Sequence, residues 1–162
     1  MVRNRTTVKV EPRLQPGLFL QPFIVSQLVA AVIERVVEGS DVSAREYAVT
    51  SSVGVLRSVS PTELSRVLGL SPTTLSAIVD RLVRKSELRR VPHEKDGRSY
   101  VLELTAKGIR TNQRNSDRFV EELSALERHL EGTPEEVLVA LRRLEAALRG
   151  TLAEGVPGSA SR

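Results

Sequence analysis

Basic side chains gather in one short part of this chain. Residues 81–98 hold seven bases and three acids, and this local excess of four positive charges equals the formal net charge of the whole chain. The bases are Arg81, Arg84, Lys85, Arg89, Arg90, Lys95 and Arg98. A localised cluster of bases is typical of a protein with a polyanionic partner, although a solvated surface gives the same count. The elements that carry the bases must decide between these interpretations.

Two helices are predicted next to this basic segment, the first before it and the second running into it. A very short connection joins the two helices. Ser60 and Ser71 each precede a proline, and a serine cap followed by proline predicts helices over 61–68 and 71–85. Only two residues, beginning with Gly69, separate the first helix from the second cap. Such a turn is typical of a helix-turn-helix. We expect the first helix to bury Leu64, Val67 and Leu68.

The second helix of this pair has an apolar and a polar face. Its apolar face consists of Leu75, Ile78, Val79, Leu82 and Val83. Its polar face carries small hydroxyl and methyl side chains first and bases later, which suits a helix in the DNA major groove. The predicted DNA-contacting residues are Ser71, Thr73, Thr74, Ser76, Ala77, Arg81 and Arg84. An ordinary amphipathic surface helix is the alternative.

A charged β-hairpin follows the second helix. In "EKDGRSYVLELTAKG", residues 94–108, five polar or flexible residues precede an apolar residue at every second position from Tyr100 to Leu104. That alternation predicts a half-buried strand, and the upstream sequence completes a hairpin over 88–104. Its tip adds Lys95, Asp96 and Arg98 to the predicted DNA-contacting set. A surface hairpin with no partner is the alternative.

Helices account for most of the remaining chain. Capping boxes and apolar periodicity place them near 18–38, 43–57, 105–130 and 134–149. The 20 residues from Leu18 to Val37 include 14 apolar ones, so the first helix needs cover on all sides. The last helix has a coiled-coil-like stripe of Val137, Leu141, Leu144 and Leu148. We expect these two helices to pack against a second copy of the chain and so form a homodimer. A helix in the core of a monomer is the alternative.

The composition argues against an enzyme. The chain has no cysteine, and its two histidines, His93 and His129, are isolated in the sequence. It contains no phosphate loop, nucleophile elbow or HExxH motif. We therefore expect no enzymatic activity, no metal and no cofactor. No signal-peptide pattern appears, and polar residues interrupt the apolar stretch, so we expect a cytoplasmic protein without a membrane span.

From about Leu18 to Gly150 the chain resembles the MarR-type (multiple antibiotic resistance regulator) winged-helix transcription factors. The most specific part is "PTELSRVLGLSPTTLSAIVDRLVRKSELRRVPHEKDGRSYVLELTAKG". Asp96-Gly97-Arg98 matches the Asp-x-Arg motif of the family's wing. The resemblance implies that Arg98 enters the minor groove and that Asp96 holds the wing in place by pairing with an arginine. It also implies dimerisation through the first and last helices.

The resemblance gives a full functional hypothesis. It implies a dimeric regulator, expected to be a repressor, that recognises a pseudo-palindromic operator in double-stranded DNA. It further implies a small aromatic or phenolic effector, in a pocket that Phe23, Tyr47 and Phe119 are placed to line; core packing is the alternative for these three. The runner-up function is a winged-helix module that binds protein without specific DNA binding.

The resemblance and the sequence pattern together divide the chain into regions, and a few residues depart from the family's usual sequence. The expected regions are an N-terminal tail (1–17), a dimerisation region (18–40 and 105–149), a DNA-binding lobe (41–104) and a C-terminal tail (150–162). Ala77 stands where many members have a base, and Ser86 stands where a glycine usually follows the recognition helix. A basic stripe on the fifth helix, Lys107, Arg110, Arg114 and Arg118, is interpreted as a solvated face, with a phosphate-contacting or regulatory role as the alternative.

Overall fold

The computed structural model describes residues 17–93 and 96–154, with the backbone alone for residues 96–98. The elements are α1 (Gly17–Val36), α2 (Ala44–Leu56), α3 (Pro61–Leu68), α4 (Pro72–Arg84), β1 (Leu88–His93), β2 (Asp96–Leu104), α5 (Ala106–His129) and α6 (Pro134–Glu154). The predicted fold class, mainly α with a small β-hairpin wing, is confirmed.

Serine and threonine caps begin the helices where the sequence predicted. The Ser43 hydroxyl accepts from the amide of Glu46 at 3.4 Å, and the Ser43 amide donates to the Glu46 carboxylate at 2.9 Å. Thr133 and Glu136 form the same reciprocal pair, which holds the pKa of Glu136 below its ordinary value. Each pair satisfies backbone donors that a helix start leaves without partners.

The core lies where α2, α3, α4 and the hairpin meet. Its fully buried side chains include Val49, Val53, Leu64, Leu75, Leu82 and Leu102. The prediction for Val67 is wrong, since this side chain is 51% exposed. Val67 follows Leu64 by three residues, a rotation of about 300° around the helix axis. Its side chain therefore lies beside the line through Leu64 and Leu68 and not on it.

The hairpin is antiparallel, with Leu88 opposite Leu104 and Pro92 opposite Tyr100. Leu102 is buried, and Tyr100 and Leu104 pack partly against the core, which confirms the predicted alternation. One pairing was not predicted: the Leu102 amide donates to the Val59 carbonyl at 2.8 Å, and this bridge fastens the wing to the segment before α3.

The chain divides into two compact units, Met1–Phe119 and Val120–Arg162. This division falls inside α5, and the predicted functional division at residue 105 stays a prediction.

The predicted C-terminal tail is wrong in its first five residues, because α6 continues to Glu154. A glycine inside a helix costs only about 1 kcal/mol. Beyond Gly150, the Thr151 hydroxyl donates to the Ala147 carbonyl at 3.0 Å.

The N-terminal helix α1 is apolar and mostly exposed. Gly17, predicted to belong to the tail, begins it, and residues 1–16 and 155–162 of the predicted tails lie outside the described residues. By length and composition α1 is able to cross a membrane, so the prediction that its polar residues exclude a span fails on that criterion. A core helix of a soluble protein meets the same criterion, which makes it weak evidence for a membrane.

Candidate nucleic-acid interface

The polar face of α4 is exposed along the predicted DNA-contacting positions, while the opposite face is buried. Leu75, Ile78, Val79 and Leu82 are at most 2% exposed. The exposed residues are Ser71, Thr73, Thr74, Ser76, Ala77, Asp80, Arg81 and Arg84. We call the first five of these the recognition face. It bears hydroxyl and methyl groups and no charge, so it is able to approach the edges of base pairs.

Local hydrogen bonds fix the angle at which α4 leaves the turn. Gly69 ends α3 in the left-handed conformation, with φ of 63°, which favours glycine. The Leu70 amide donates to the Ser65 carbonyl at 3.1 Å, and the Ser65 hydroxyl donates to the Leu70 carbonyl at 2.6 Å. The Ser71 hydroxyl then accepts from the Thr74 amide at 3.1 Å. The turn is therefore built from contacts within residues 65–74.

The C-terminal half of α4 is tied to α2 by a buried carboxylate. Glu46 accepts from Arg81 Nε at 3.3 Å and from Lys85 Nζ at 2.7 Å. Burial by itself would raise the pKa of Glu46, but hydrogen bonds from Lys85, Ser43 and Arg81 hold that pKa below its ordinary value of 4.5. Arg81 therefore has a structural partner in addition to its predicted role in DNA binding.

A second ion pair ties α4 to the wing. The Arg90 guanidinium on β1 bonds Asp80 on α4, and its central carbon lies 5.3 Å from the centre of the Tyr100 ring. The hydrogen bond that Arg90 donates to the Asp80 carboxylate raises the pKa of Arg90. Because Asp80 lies one helical turn beyond the recognition face, this pair sets the position of the wing strands beside it.

These pairs reduce the basic excess counted from the sequence. Four of the seven bases between residues 81 and 98 are paired with acids outside that segment: Arg81 and Lys85 with Glu46, Arg89 with Glu103, and Arg90 with Asp80. Arg84 is exposed, and its Nε donates to the Asp80 carbonyl at 3.4 Å. The sequence count was right, but its electrostatic interpretation omitted acids that the fold brings near.

The wing tip is described in part. Lys95 lies outside the described residues, as do the side chains of Asp96 and Arg98, whose backbone begins β2. Asp96 pairs with His93 in the strand register, after an irregularity at Pro92/His93. The roles of these three residues in DNA binding therefore stay predictions.

The three aromatic residues predicted to line an effector pocket lie in different environments. Tyr47 is a core residue, 5% exposed, whereas Phe23 is 62% exposed and Phe119 is 38% exposed. Two cavities of about 380 Å³ each are lined by other residues. The three aromatics line neither of these cavities, and their joint role stays a prediction.

The end of α4 packs very closely on the start of α5, which sequence reasoning did not foresee. Glu87 is fully buried, and its carbonyl accepts from the Thr105 amide at 3.0 Å. A Cβ at Gly108 would lie 2.1 Å from that carbonyl oxygen, so only glycine fits. Lys107 Nζ lies 3.2 Å from the Glu87 carboxylate, and this hydrogen bond raises the pKa of Lys107. The glycine in "LTAKG" was the available signal.

A tight helix-turn-helix followed by a two-stranded wing defines a winged-helix protein, a class that presents its second helix to DNA. The MarR family profile matches residues 41–99. PecS of Dickeya dadantii, an HTH-type transcriptional regulator, is 31% identical over 121 residues, covering 73% of this chain and 71% of PecS.

Solved structures show the same fold. A mutant of Escherichia coli MarR complexed with operator DNA matches with a TM-score of 0.70 at 24% identity, covering 82% of this chain and 94% of that one. PcaV of Streptomyces coelicolor, in complex with its natural ligand, matches with a TM-score of 0.64 at 22% identity, covering 87% and 98%. The chain belongs to the MarR family. It is a winged-helix, DNA-binding transcriptional regulator.

Proposed function

We propose that the protein recognises a pseudo-palindromic operator as a homodimer, with the recognition face of α4 in the major groove and the wing in the minor groove. The observation that carries this proposal is the uncharged, hydroxyl-rich recognition face, exposed on the side of α4 opposite the buried Leu75, Ile78, Val79 and Leu82. Two such helices related by a two-fold axis would lie about 34 Å apart, one turn of B-DNA. In the proposal, Arg98 supplies the minor-groove contact and Asp96 positions it.

Exposed apolar side chains support the dimer. α1 exposes Leu18, Phe19, Leu20, Phe23, Leu28 and Val29, and α6 exposes Leu138, Val139 and Leu141. Extended apolar patches on a soluble chain mark interaction surfaces. We propose that a second copy covers them. We also propose that the chain is a soluble cytoplasmic regulator without catalytic activity. The domain division at residues 41 and 105 then separates the DNA-binding lobe from the dimerisation helices.

An effector remains part of the proposal. PcaV was solved with its natural ligand. In this chain a cavity of about 380 Å³ lies between α2 and α5, lined by Ser51, Gly54, Asn112 and Ser116 among others. A small aromatic or phenolic compound that releases the operator would support this part.

One observation favours the runner-up, a winged-helix module that binds protein. Four of the seven bases in the basic segment already have acidic partners, which weakens its attraction for a polyanion. The two functions differ in their dependence on salt, because phosphate contacts release counterions and protein contacts do not.

Selection of bound sequences from a random duplex pool tests the proposal. The expected result is an enriched pseudo-palindrome, bound by a dimer with an affinity that falls steeply as salt rises. A pool that shows no enrichment, together with binding that salt leaves unchanged, would favour the protein-interaction module.

A further inference from the structure

The basic stripe on α5 does not serve a single purpose, because its members have different partners. The two outer bases hold the turn that follows α1: Lys107 Nζ lies 3.5 Å from the Asp41 carboxylate, and Arg118 donates to the Glu38 carbonyl. These contacts fasten the turn at both ends. A structural role therefore accounts for Lys107 and Arg118.

The two inner bases, Arg110 and Arg114, have no such role. Both are exposed, and among residues 17–93 and 96–154 neither forms an ion pair. They lie one helical turn apart on α5, where two like charges destabilise a helix by about 0.2–0.5 kcal/mol. Among the described residues, these two side chains one helical turn apart therefore have no ion-pair partner that compensates for their repulsion.

Both inner bases line a cleft. It has a volume of about 380 Å³ and is bounded by residues 39–41 of the turn and by Lys107, Arg110, Thr111 and Arg114 of α5, and we call it the cationic cleft. It contains three bases and one acid, Asp41, whose carboxylate faces Lys107. The Thr111 hydroxyl is engaged with Glu87 at 3.2 Å. Arg110 and Arg114 are therefore the groups best placed to receive a ligand.

We propose that the cationic cleft binds a small dianion, a dicarboxylate or a phosphate, through Arg110 and Arg114. A guanidinium presents parallel N–H donors that match a carboxylate or phosphate, and two of them one turn apart match two negative charges. The volume lies in the range of small-molecule sites. The lining is polar and charged, which distinguishes the occupant from the aromatic compound expected between α2 and α5.

The position of the cleft favours a small ligand over the DNA backbone. Lys107 donates to the Lys85 carbonyl at 2.9 Å, so the cleft adjoins the C-terminal end of α4. The recognition face begins at the other end of this 13-residue helix, about 20 Å away.

Calorimetric titration of the full chain without DNA tests the site, with inorganic phosphate and succinate as probes at constant ionic strength. The expected result is saturable binding of one dianion per chain. Arg110→Ala/Arg114→Ala should weaken it by about tenfold or more, because two charge-assisted bidentate contacts are lost. Arg143→Ala, which removes an exposed base of α6, is the matched control and should change nothing. Binding of phosphate alone would identify a phosphorylated ligand, and binding of both probes a more general dianion site.

Two further measurements keep the proposal open to refutation. Arg110→Lys/Arg114→Lys retains the charge but not the forked donors, so it should bind more weakly than the original chain even where the alanine variant is poorly folded. The alanine variant should bind duplex DNA with an unchanged dependence on salt. Failure of both probes to bind would overturn the proposal, and so would a shallower salt dependence of DNA binding, which would make the two arginines phosphate contacts. The titration contains no DNA, so its outcome is separate from that of the proposed operator binding.

Discussion

The two ends of α4 are built on different principles. Its N-terminal half presents small uncharged side chains to solvent and is held by a serine cap and a tight turn. Its C-terminal half is tied to three other elements: to α2 through Glu46, to the wing through Asp80 and Arg90, and to α5 through Lys85 and Lys107. One end is therefore free for the proposed recognition of DNA, while the other end fixes the helix. Changes at each end should therefore fail in different ways.

Gly108→Ala should have the largest effect, because it disturbs the anchoring end through the backbone. The new Cβ would lie 2.1 Å from the Glu87 carbonyl oxygen, which cannot move without displacing the chain that follows α4. We expect a loss of about 3 kcal/mol in the free energy of unfolding, measured by urea denaturation. Gly150→Ala is the control: nothing lies within 4 Å of its new Cβ, so the free energy of unfolding should rise by about 0.5–1 kcal/mol. Equal effects at the two glycines would contradict the close contact between α4 and α5.

Glu46→Gln should come next, since it keeps the shape of the helix cap but removes the charge that pairs with Arg81 and Lys85. We expect a loss of about 2 kcal/mol at pH 7, from two hydrogen bonds with charged donors. Glu63→Gln changes the corresponding cap position of α3, which is exposed, and should have little effect.

The pH dependence of the same pair of variants gives a signed test. Because the pKa of Glu46 is lowered in the folded chain, its contribution to stability is present above the ordinary value of 4.5 and is lost as pH falls through the folded value. The original chain should therefore lose stability in this acidic range more steeply than Glu46→Gln. Parallel stability curves for the two proteins would show that Glu46 is not held as an anion by α4.

Substitutions at the N-terminal end of α4 should alter the specificity of DNA binding. Thr73→Val keeps the size of the side chain but removes a hydroxyl, and it should change the preference between operators by about 1–3 kcal/mol. Its unfolding curve should stay the same. Arg81→Ala, by contrast, should lower stability and weaken all operators alike, since Arg81 bonds Glu46. If Arg81→Ala changed the preference and Thr73→Val did not, the roles assigned to the two ends would be reversed.

Much of this arrangement could be predicted from local sequence, and its ion pairs could not. Caps such as Ser71, the turn at Gly69 and the alternation around Leu102 act within a few residues, so their outcome is visible in the chain. Glu46 and Arg81 are 35 positions apart, and no spacing rule connects them. The count of charges in the basic segment was right, but its acidic partners elsewhere in the chain were missed for this reason. The predicted last helix ended at residue 149, but α6 continues past Gly150, because a glycine weakens a helix without ending it.

The smallest effect is expected at Ser86, where the chain leaves α4 toward the wing. Ser86 has φ of 56°, a left-handed conformation that costs a residue with a side chain about 1 kcal/mol. Its amide donates to the Val83 carbonyl and the Glu87 amide to the Leu82 carbonyl, so the position cannot relax without losing the end of the helix. Ser86→Gly should remove the strain while adding entropy to the unfolded chain, for a net gain of about 0.5 kcal/mol. Ser86→Val, with a branched Cβ, should lose stability, giving the order Gly, Ser, Val in thermal unfolding. Since Ser86 lies at the anchoring end and outside the recognition face, operator preference should be the same in all three. A glycine variant less stable than the original would mean that the serine side chain makes a contribution larger than the strain of its backbone.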